Sequence, residues 1–152
     1  MSTLETNTIA VLNRLIETLK DGEQGFEAAA DRAQSPELRS LLRDYATERA
    51  QFAIELQALA RSLGETEPED SGSMTGAMHR GWIDFKSLFT GKDDLEMLAE
   101  CQRGEESAVD RYREELDHPE LPENIRQVIL RQFGSIQIAR DRIRNLYASM
   151  EV

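Results

Sequence analysis

Apolar residues recur along this chain at alternating spacings of three and four, in four separate long stretches. From about Leu4 to Ala33 the repeat runs Ile9, Leu12, Ile16, Leu19, Glu23, Phe26, Ala30 and Ala33. At 3.6 residues per turn these positions share one face, which predicts an amphipathic helix. Thr6 and Thr8 are candidates to cap its start. The break at Gln34-Ser35-Pro36-Glu37 has the chemistry of a helix restart: Ser35 as N-cap, Pro36 in the first turn, Glu37 against the positive dipole end. A second helix is expected over 36–63, with Leu42, Tyr45, Arg49, Phe52, Leu56, Leu59 and Leu63 on its seam. Gly64 is placed to end it. So short a connection makes the two helices antiparallel. The pattern then repeats. A helix over 93–117 carries Leu95, Leu98, Gln102, Glu105, Val109, Tyr112 and Leu116. After the loop His118-Pro119-Glu120-Leu121, a helix over 122–150 carries Ile125, Ile129, Gln132, Ile136, Ala139, Ile143, Leu146 and Met150.

Residues 65–92 separate these two hairpins. Their first part, Glu65 to Ser73, is acidic and polar, whereas Met78, Trp82, Ile83, Phe85, Leu88 and Phe89 are spaced for one face of a short helix. The second helix spans roughly 40 Å, and a connection this long can run its length and still hold a short helix. The third helix would then run parallel to the second, as in a bundle with one crossover. The competing arrangement is an up-down-up-down bundle capped by the mini-helix. His79, Arg80 and Trp82 are read as the anchor of the crossover, with Trp82 supplying the packing area. Gly72, Gly76 and Gly81 serve loop geometry, because no strand precedes them and no Lys-Ser/Thr follows, as a phosphate loop requires.

Composition narrows the function classes. The 152 residues suit one domain, 1–152. Net charge is −11, from 18 Lys+Arg against 29 Asp+Glu, which disfavours nucleic acid or an anionic membrane as partner. Cys101 is the lone cysteine, so no intrachain disulfide is possible and a reducing compartment fits. Neither a secretory signal nor a membrane span is legible, and a cytoplasmic location is expected. No Ser/His/Asp set can be assembled, so no catalytic residue is assigned.

The seams fail near their midpoints, and these failures are the candidate site. Glu23, Arg49, Gln102 with Glu105, and Gln132 put polar groups on apolar stripes. Glu23 lies ten residues from Ala33, Arg49 thirteen from Pro36 and Glu105 twelve from Asp93, within about one turn of a common height. Glu48 could reach the same layer. Gln132 sits higher, and Gln137 is better placed at that level. A buried carboxylate needs a partner or a metal. Arg49 would repel a cation and can neutralise Glu23 and Glu105 through bidentate bonds, which favours a structural Glu–Arg–Gln network. A carboxylate-only metal site would use Glu23, Glu48 and Glu105. Cys101 is read as a packing residue.

Three stretches carry a resemblance: Leu19-Lys20-Asp21-Gly22-Glu23-Gln24-Gly25-Phe26, Gly72-Ser73-Met74-Thr75-Gly76-Ala77-Met78-His79-Arg80-Gly81-Trp82, and Glu100-Cys101-Gln102-Arg103-Gly104-Glu105-Glu106. With them the chain resembles an uncharacterised bacterial family of ferritin-like four-helix bundles, a domain of unknown function. The resemblance implies an all-α, ferritin-like, cytosolic protein and no assigned activity. Gly104-Glu105, with Tyr112 seven residues on, is similar to the ligand helix of rubrerythrin-type proteins, and Gly22-Glu23 is a looser match. Distant similarity to rubrerythrins and bacterioferritins implies di-iron chemistry, built from two helices with a Glu each and two with Glu-x-x-His. Here the second helix has Glu48-Arg49-Ala50-Gln51, with Gln where His would stand. The fourth has Gln137-Ile138-Ala139-Arg140, with neither ligand, and His79 and His118 lie away from the layer. The expectation is a non-enzymatic ferritin-like bundle, stress-related, without cofactor and acting as a homo-oligomer (dimer). The alternatives are an iron-binding or ferroxidase-like protein and a partner-binding adaptor using the crossover.

Overall fold

The protein, seen in a computed structural model, is described over residues 2–72 and 94–151. Four long helices account for nearly all of these: α1 (Thr3–Arg32), α2 (Pro36–Ser62), α3 (Asp94–Leu116) and α4 (Glu123–Glu151). The first two begin on local capping chemistry, and the second also ends on it. Ser2, rather than Thr6 or Thr8, caps α1: its hydroxyl accepts from Glu5 N while the Glu5 carboxylate accepts from Ser2 N, a complete capping box. Thr8 instead turns its hydroxyl back to Leu4 O. Ser35 caps α2 by accepting from Leu38 N at 3.2 Å, with Pro36 in the first turn. At the far end Gly64 takes φ 102°, and Glu65 N donates to Ala60 O while Gly64 N donates to Arg61 O. This is a Schellman closure, which needs a residue at ease with positive φ.

One contact decides the topology. The Asp94 carboxylate, at the first turn of α3, accepts from Gln34 N at 2.9 Å and Ser35 N at 3.1 Å in the α1–α2 turn. Helix α3 therefore starts at the end of the bundle where α2 starts, and the two run parallel. That is the one-crossover, ferritin-like arrangement rather than the up-down-up-down alternative. The crossover leaves Gly64 and turns back along α1. Pro68 is buried, Glu69 N donates to Asn13 Oδ1 at 3.1 Å, and Gln57 Nε2 donates to Glu69 O at 2.8 Å. Gly72 then passes so close to α1 that a Cβ there would stand 2.5 Å from Asp21 Oδ1. The expected short helix, and His79, Arg80 and Trp82, lie outside the described residues.

Because Asp94 joins chain segments 59 and 60 residues apart with two charge-assisted bonds, Asp94→Ala should lower stability by about 1–3 kcal/mol. A urea midpoint indistinguishable from that of the unaltered protein would remove the latch from this account.

Helix α1 packs on both α2 and α3, and α3 packs on α4. The buried apolar residues form two clusters. One holds Leu12, Leu15, Ile16, Leu19, Leu56 and Ile125; the other, toward the α1–α2 turn, holds Phe26, Leu42, Met97, Leu98, Cys101 and Ile143. What separates them is polar.

Candidate functional site

Between the two clusters lie Arg49 and Glu105, 1% and 0% exposed. On α2, Arg49 stands between Ala46 of one cluster and Ala53 of the other; on α3, Glu105 stands between Cys101 and Ala108. Arg49 Nη1 donates to Glu105 Oε1 at 2.5 Å and Nη2 to Oε2 at 2.8 Å, a bidentate fork across the bundle centre. A small residue lies beside it. Gly22 of α1 is buried, and a Cβ there would touch Arg49 Cγ at 3.6 Å. The Phe26 ring covers the guanidinium at 5.2 Å from its centroid.

Two of the residues expected in this layer do not enter it. Glu23 is half-buried and pairs with Lys20 at 3.5 Å, so it does not reach Arg49. Gln102 is also half-buried, and Cys101 takes the interior position instead. The helical phase at both places is one residue from the expected seam. Gly22 and Cys101 face inward, and neither a glycine nor a lone cysteine adds much to a hydrophobic pattern. The adjoining pairs Gly22-Glu23 and Cys101-Gln102 were the available signal.

Gln132 is fully buried but belongs to a second polar group about two turns further along α3. Tyr112 Oη donates to Gln132 Oε1 at 2.7 Å, and Gln132 Nε2 donates to Glu55 Oε1 at 2.8 Å. Glu55 also pairs with Arg131. Gln137, expected at the Glu105 level, is half-buried and outside both groups. A further ion pair, Arg14–Glu115 at 2.7 Å, joins α1 to α3 nearer the surface. His118 Nε2 lies 3.4 Å from Glu115, half-exposed in its loop.

Glu48 stands at the edge of the layer. Its Oε1 is 3.7 Å from Arg49 Nε, and neither atom has a hydrogen-bond partner among the described residues. Burial raises the Glu48 pKa; Arg49 opposes the rise and Glu105 adds to it. For Arg49, burial works against the charge, but the Glu105 charge and hydrogen bonds outweigh it and the pKa is raised. Burial also holds the Cys101 thiol well above its ordinary range, with Glu105 and Glu100 contributing. The Tyr112 phenol is raised chiefly by burial. All these shifts favour an inert interior. Cys101 is kept a thiol, Tyr112 a phenol and Arg49 a cation.

A carboxyl with a raised folded-state pKa adds stability that is present below the ordinary carboxylate pKa and lost as pH rises through the raised value. Glu48→Gln should keep that contribution at every pH. Its urea midpoint should equal the native one near pH 4 and match or exceed it near pH 7. A variant that loses ground to the native protein as pH rises would contradict the assignment.

Iron is the group the fold implies, and the donor set does not suit it. Both Glu105 oxygens are engaged by a guanidinium, and no group of three His, Cys, Asp or Glu among the described residues could hold a metal ion.

The family model described as a domain of unknown function, DUF2383, matches residues 7–118. The chain belongs to this family. No curated protein matches the sequence. In shape, the DUF2383 chain is similar to a point mutant of Dps1 from Mycobacterium smegmatis. The TM-score is 0.80 at 12% identity, covering 97% of this chain and 99% of that one. At that identity the likeness establishes the ferritin-like fold of the DUF2383 chain and nothing finer. None of its described helices is long and apolar enough to cross a membrane.

Proposed function

We propose that this protein is a non-enzymatic, cytoplasmic ferritin-like scaffold whose centre is filled by an ion pair instead of a di-iron site, and that it acts through its outer surface as a homo-oligomer. The observation that carries the reading is the Arg49–Glu105 fork, 2.5 and 2.8 Å, between side chains buried at the middle of the bundle. A cation placed there would have to displace a guanidinium from both oxygens of Glu105, the one fully buried carboxylate at that level among the described residues. Among the described residues it would recover only Glu48, itself half-buried, and no imidazole. Partner binding through the crossover would rest largely on residues outside those described.

The test is iron loading. Untagged protein is given ferrous iron anaerobically and then exposed to oxygen, and bound metal and oxo-bridge absorption are measured. The expected result is no stoichiometric iron. Stoichiometric uptake abolished by Glu105→Ala would overturn the scaffold reading in favour of the iron-binding one.

A further inference from the structure

We draw no further inference here: the strongest candidate, the apolar groove of about 330 Å³ between the start of α2 and the end of α4, is lined by Arg142 as well as by the carboxylates of Glu37 and Asp94, so its charges select no one occupant and nothing in the structure shows what covers it.

Discussion

Glu105→Ala is expected to lower stability by about 3–5 kcal/mol, the largest effect of any single substitution considered for this bundle. The loss comes less from the missing attraction than from what stays behind: Arg49, 1% exposed, would keep its charge with no carboxylate to accept either Nη donor. Against a total stability of order 5–15 kcal/mol, that is a large fraction. Removing both charges should behave quite differently. Arg49→Met combined with Glu105→Leu replaces the pair with apolar volume, and the double variant should be neutral or more stable by about 1–4 kcal/mol. A double-mutant cycle by urea denaturation separates the two effects. If Glu105→Ala loses less than about 1 kcal/mol, water reaches Arg49 in the variant and the account of an uncompensated buried charge fails.

Phe26→Ala should rank second, at about 3–5 kcal/mol. The ring is fully buried, lies 5.4 Å from the Tyr45 ring, and covers the Arg49 guanidinium. Truncation therefore opens a cavity beside a desolvated cation. Phe26→Leu keeps most of the volume and isolates the ring's interaction with the charge, worth up to about 2 kcal/mol when desolvated. In an Arg49→Met background the loss from Phe26→Leu should shrink by that amount. Equal losses in both backgrounds would mean the ring contributes packing alone.

The helices were legible almost to the residue. The pattern places them at 4–33, 36–63, 93–117 and 122–150, and they occupy 3–32, 36–62, 94–116 and 123–151. Long seams and explicit stops such as Ser35-Pro36 and Gly64 over-determine the boundaries. The ferritin-like topology followed from linker length, and the Asp94 latch shows why it holds. The interior was less legible. A three-four stripe is satisfied by two neighbouring phases, and at Gly22-Glu23 and Cys101-Gln102 the residue that fills the core has little hydrophobic signature. Arg49 and Glu105 could be placed because large charged side chains interrupt a seam visibly. The Tyr112–Gln132–Glu55 group could not, since three residues drawn from three helices meet only once the offset of α4 is known.

The polar layer has a consequence for how the helices slide. A seam of leucines and isoleucines is nearly periodic along its axis. Moving α3 by one turn past α2, about 5.4 Å, exchanges one aliphatic contact for another at small penalty. Arg49 and Glu105 remove that degeneracy. One turn away in either direction each charge would face uncharged side chains, Tyr45 or Phe52 on α2 and Cys101 or Val109 on α3, so the observed translation of α3 along α2 is the favoured one. The parallel pair is joined by a connection long enough to permit many offsets, and the fork acts as its vernier mark.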